Sequence, residues 1–202
     1  RADHIAGIGL CKKDGANRVY VWAYDARNHR MSNPVELGTM NWVTEDTQAY
    51  QLQNFLSITA GDFDKTGKDR IVVYAAMDGE TMALVELSAV SAEGSVTLSE
   101  VTRGTALLNA TYMQEGDAYE ALRNKSSSDG KYRLGCDLDA GDVNGDGIDD
   151  LAVISYTERF NTNPDPHPEV LVAGETIVEP NLTVAYGKAE QECILSPEKK
   201  KS

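Results

Sequence analysis

The stretch DAGDVNGDGIDDLAVIS, residues 139–155, decides the fold. Its first half alternates acidic and glycine residues, the chemistry of a tight loop, and its second half is a β-branched run that fits a strand. A second copy, AGDFDKTGKDRIVVYAA, fills residues 60–76 and aligns Asp62 with Asp142, Asp64 with Asn144, Gly67 with Gly147 and Ile71 with Leu151. A unit that recurs at this spacing points to a repeat architecture. Laying the opening RADHIAGIG over GIDDLAVIS places Asp3 on Asp150 and reads the start as a weaker third copy, with His4 where the others have Ile71 or Leu151.

Working outward, short runs such as RVYVWAY, MALVELSAV, SVTLSEV, EVLVAG and LTVAY lie between Gly, Asn and Asp clusters, so the expected class is all-β. The linkers at 14–17, 78–81 and 92–94 carry hairpin-turn residues, which predicts antiparallel meanders. Each unit reads as a four-stranded β-propeller blade: a partial blade over 1–50, a blade over 51–133 with an inserted loop at 104–131, and a blade with a C-terminal tail over 134–202. About three blades cannot close a ring, since propellers typically need four to eight, so the expectation is part of a larger or incomplete propeller and of a longer chain. Residues 105–124 are spaced for a helix or a long excursion.

The loop GDVNGDGIDDL sets side-chain oxygens at Asp142, Asn144 and Asp146, with Gly147 free to take the positive φ that wraps the backbone round. An all-oxygen set suits a hard, flexibly coordinated cation, which selects Ca²⁺ over Mg²⁺ and zinc. Asp150 is the expected closing carboxylate, the Ile148 carbonyl adds a backbone ligand, and Asp149 is expected to face solvent. An EF-hand would need a bidentate Glu at its twelfth position, where this chain has Val153 in an apolar run. A dockerin-like module would continue into a helix, whereas LAVISY is strand-like.

On these residues the chain resembles the FG-GAP, or VCBS-type, repeats of integrin α-subunit-like β-propellers, whose loops look like DxDGDGxxDL. The resemblance implies calcium held by Asp142, Asn144, Asp146, Ile148 and Asp150, in a loop joining the first two strands of a blade. It further implies a binding module that meets its ligand on another face or on inserted loops. In the earlier copy the weaker set is Asp62, Asp64, Thr66, Lys68 and Asp69, and Arg70 stands where Asp150 closes the later loop. Two readings follow. Arg70 folds over Asp62 and Asp64 and neutralises them, or Asp69 closes the loop and calcium binds weakly. Asp3 is the corresponding candidate in the opening copy.

The chain has 202 residues and a net charge of −13, which disfavours nucleic acid, and no apolar run long enough for a membrane-spanning helix. Cys11, Cys136 and Cys193 have no zinc spacing and read as small buried thiols. Sequons at Asn109, Asn124 and Asn181 are glycan acceptors only in a eukaryotic secretory pathway. His4, His29 and His167 sit in no hydrolase motif, and Tyr20, Trp22 and Tyr24 alternate as core or inter-blade packing, with Trp42 further on. The loops at 105–130 and 159–169 are the places for recognition. The expected function is an extracellular or cell-surface, secreted, calcium-stabilised propeller module that binds protein or glycan. The alternatives are the propeller part of a polysaccharide-active enzyme such as a lyase, or an architectural spacer.

Overall fold

A computed structural model describes residues 4–41, 43, 55–78, 83–92, 95–104, 107–108, 131–160 and 176–195. Every regular element among them is a β-strand, and all the strand pairs are antiparallel. In the first sheet β1 (His4–Lys13) and β2 (Ala16–Asp25) form a hairpin. Asp14 and Gly15 make its two-residue turn, at φ 52° and 77°, as the Asp-Gly pair predicts. The short β3 (Arg30–Met31) and β4 (Val35–Thr39) both pair with β2. The second sheet is a four-stranded meander of β5 (Leu56–Gly61), β6 (Arg70–Ala75), β7 (Ala83–Ala92) and β8 (Ser95–Gly104). The third contains β9 (Lys131–Gly141), β10 (Asp150–Phe160) and β11 (Thr176–Ala185), with β10 in the middle.

Strand β6 explains why the second sheet is central. Ile71 to Ala75 are buried on both faces, the pattern of a strand covered on both sides. The neighbouring sheets supply the cover: β5 lies against β9 and β1, while β8 meets β2 and β3. Polar stitches fix these contacts. The Ser57 hydroxyl donates to Asp137 at 3.1 Å and accepts from the Leu138 N–H at 3.0 Å, joining β5 to β9. Asp78 accepts from the Thr39 hydroxyl at 2.9 Å and the Asn41 N–H at 2.7 Å, joining the end of β4 to the segment after β6.

The aromatic stripe takes the face opposite to the deepest core. Val19, Val21 and Ala23 are the fully buried positions of β2. Tyr20, Trp22 and Tyr24 are half-buried on the other side, where the tyrosine hydroxyls meet Glu36 and His29. Trp22 lies across β1 on two glycines, and a Cβ on Gly7 would stand 2.7 Å from the indole. The cysteines also depart from expectation: Cys136 alone is buried, where desolvation raises its thiol pKa, while Cys11 is exposed and Cys193 intermediate. Trp42, Asp3 and His167, together with residues 109–130 and 161–175, lie outside the described residues.

Beyond β11 the chain turns back as a strap over the loop between β5 and β6. The Lys188 and Glu190 N–H groups donate to the Phe63 and Asp64 carbonyls, each at 3.0 Å, and Ile194 and Leu195 are buried. Gly187 makes this approach possible, since an added Cβ would stand 2.2 Å from the Asp149 carbonyl oxygen and 2.8 Å from that of Phe63. Both obstacles are backbone and cannot rotate away. Gly187→Ala is expected to cost about 3 kcal/mol through overpacking. In urea unfolding this reads as a lower midpoint at unchanged slope.

Candidate metal-binding loops

The loop joining β9 to β10 is shaped by its own carboxylates. Asp142 Oδ1 accepts from the Gly145 and Asp146 N–H groups at 2.6 and 3.0 Å, and its Oδ2 accepts from Gly147 at 2.8 Å. Asn144 Oδ1 takes the Asp146 N–H and Asp146 Oδ1 takes that of Ile148, each at 2.9 Å. Gly145 and Gly147 both stand at φ 81°, where a β-carbon would be strained. The Gly147 N–H is the leading cause that holds the Asp142 carboxyl below the usual range, against desolvation; the Gly145 and Asp146 N–H groups and Lys65 add to it.

The structure thus brings Asp142, Asn144 and Asp146 into one loop, with the Ile148 side chain buried at its exit. Asp150 is buried at the start of β10, where Oδ2 accepts from the Val143 N–H at 3.1 Å and Oδ1 from the Gly187 N–H at 2.9 Å. The side-chain acceptors are all oxygens, the donor type a hard cation takes, and among them Asp142 Oδ1 already accepts two N–H bonds. Among the described residues no three His, Cys, Asp or Glu side chains already stand together as a metal cage.

The loop joining β5 to β6 repeats these bonds. Asp62 accepts from the Thr66 and Gly67 N–H groups at 2.9 and 2.8 Å, and Asp64 accepts from the Thr66 N–H at 3.1 Å and its hydroxyl at 2.6 Å. Gly67 stands at φ 75°. Lys68 and Asp69 are exposed on the rim.

Arg70 pairs with Asp64 as expected, at 2.6 Å, but it does not fold over Asp62, whose two oxygens already hold the loop backbone. Its second partner is Glu86 on β7, at 2.8 Å and fully buried. The guanidinium also donates to the Gln191 carbonyl at 3.3 Å and to the Glu192 carbonyl in the strap. The other Glu86 oxygen accepts from the Ile194 N–H at 2.8 Å. Burial opposes the charge on Asp64, but the Thr66 hydroxyl and N–H, and then Arg70, outweigh it and keep that carboxyl below its ordinary range.

Asp149 corrects a further expectation. It does not face away to solvent: its Oδ2 accepts from the Asp62 N–H at 2.8 Å, and its own N–H donates to the Asp62 carbonyl at 3.3 Å. The two acidic loops are therefore fastened to each other. Lys65 on the first loop, at φ 59°, puts its ammonium over the second, 3.9 Å from where a Cβ on Gly147 would be.

His4 belongs to another group that sequence spacing could not assemble. Asp25 is fully buried and accepts only from donors: Ser91 Oγ at 2.6 Å, Asn28 Nδ2 at 2.8 Å, and the Arg27 and Asn28 N–H groups at 2.9 and 3.1 Å. These bonds, Ser91 first and then Asn28, hold its carboxyl far below the ordinary range despite desolvation. The single Ser91 proton thus goes to Asp25, and His4 Nε2, 2.9 Å from Ser91 Oγ, must be the donor to that oxygen. A histidine that donates to a serine cannot also remove its proton, so the pair is no nucleophile and base. It lines a cavity of about 380 Å³ floored by Ala6, Ala60 and Ala89.

Against known proteins, no family model, curated protein or solved structure matches the chain.

Arg70→Met leaves Glu86 buried without its cation and is expected to cost about 3–5 kcal/mol. Adding Glu86→Gln should recover part of that loss in chemical unfolding. The pH dependence has a definite sign. The carboxyls of Asp25, Asp64 and Asp142 lie below their unfolded values, so their stabilisation is complete above about pH 4 and is lost as pH falls through the folded values. Melting curves from pH 7 to pH 2 should therefore show the gap between wild type and Asp25→Asn closing below pH 4.

Proposed function

We propose that this chain is a calcium-stabilised β-propeller-type module of the FG-GAP kind, working outside the cell to bind a protein or glycan. What carries the reading is the loop between β9 and β10, where Asp142, Asn144 and Asp146 turn their oxygens into one glycine-hinged turn between paired strands. The three antiparallel sheets, with strand β6 of the second buried on both faces, support a blade arrangement. In this reading Asp142, Asn144, Asp146 and the Ile148 carbonyl take the cation. Asp150 closes the site while its other lone pairs keep hold of Val143 and Gly187. Exposed loops of this type fill at the millimolar calcium of an extracellular setting, which is why the module belongs there.

The test is a calorimetric calcium titration of wild type and Asp146→Ala, with melting curves in calcium and in chelator. One saturable site that raises the melting temperature, and is lost in Asp146→Ala, is the expected result. A folded wild type that takes up no calcium would reduce these loops to hydrogen-bonded turns and remove the basis for the module and its extracellular placement.

A further inference from the structure

The two acidic loops share a backbone pattern and differ in where their positive charge comes from. In the first, Arg70 is tied to Asp64, Glu86 and the strap carbonyls, so its charge is spent internally. The second has no basic residue between Asp142 and Asp150. Its nearest cation is borrowed: the Lys65 ammonium projects from the first loop to within 3.9 Å of the Cβ position of Gly147. That distance sets the ammonium over the turn, and no ion pair within 4 Å joins it to a carboxylate among the described residues. The reciprocal Asp62 and Asp149 bonds hold the loops edge to edge, which brings the exposed Lys65 side chain, on a backbone at φ 59°, beside the second turn.

We infer that Lys65 is the resident counter-ion of the second loop, a tethered charge against which any divalent cation must compete. The inference rests on the calcium reading of that loop and names the residue that sets its affinity. A monovalent charge held above a cluster of carboxylates lowers their mutual repulsion when no metal is bound. The same charge repels a doubly charged ion arriving among them. Screening by salt limits both effects, because Lys65 and the loop it faces are exposed to solvent.

The experiment compares calcium affinity by calorimetry in wild type, Lys65→Asn and Lys65→Arg, at low and at high salt. Asparagine removes the charge and tolerates positive φ, so the backbone is not the variable. Arginine keeps the charge. Lys65→Asn is expected to bind calcium about three- to tenfold more tightly at low salt, with the gain shrinking at high salt and absent in Lys65→Arg. In chelator, Lys65→Asn should melt below wild type at low salt. Equal affinities for wild type and Lys65→Asn would overturn the role of Lys65 while leaving the calcium site standing. No calcium binding by either folded protein would overturn the site and this inference together.

Discussion

A carboxylate with no exposure to solvent governs this fold. Glu86 lies in the middle of β7, and removing such a charge from water is tolerable only if its lone pairs are filled and its charge is opposed. Arg70 opposes it from the neighbouring strand, and the Ile194 N–H fills the second oxygen. The planar guanidinium then has donors to spare, and they reach Asp64 in the loop and two carbonyls in the strap. One buried charge therefore specifies where a loop, two strands and the segment after β11 must meet.

The same architectural position is solved twice with opposite polarity. At the start of β6 a cation gathers carbonyl oxygens from the strap, and at the start of β10 a carboxylate, Asp150, gathers the N–H of Gly187 from the beginning of that segment. The loops before these residues keep equivalent bonds, because those bonds depend only on a carboxylate or amide oxygen and glycine a few residues on. Substituting Arg for Asp has not disturbed the turn. It has changed which backbone groups the turn can recruit from elsewhere in the chain.

What sequence spacing could read follows from this division. The acidic loops, the Asp-Gly hairpin and the strand runs are local, with partners two to five residues away, and all are recognisable from residue type alone. Glu86 and Asp149 act on groups brought close only by folding, and nothing in their flanking residues announces it; Asp25 caps its own turn through Arg27 and Asn28, and only its bond from Ser91 comes from far along the chain. Arg70 was legible as the replacement for a closing acid and as a partner of Asp64, but not of Glu86, and Asp62 was no target because both its oxygens are committed to the loop backbone. On β2 the alternation of Val19, Val21 and Ala23 with Tyr20, Trp22 and Tyr24 marks two faces. Both are apolar enough that the pattern could not say which one turns inward, and the glycines of β1 that receive Trp22 decide it.

The strap also imposes an order on synthesis. Ile194 follows Glu86 by 108 residues, so the second sheet leaves the ribosome long before the N–H that completes its buried carboxylate exists. During that interval Arg70 is already present, but the carbonyls of Gln191 and Glu192 are not, and the first loop lacks the cover that Lys188 and Glu190 later bring. The nascent chain thus carries a charged, half-wrapped sheet whose buried carboxylate is completed only when Ile194 arrives.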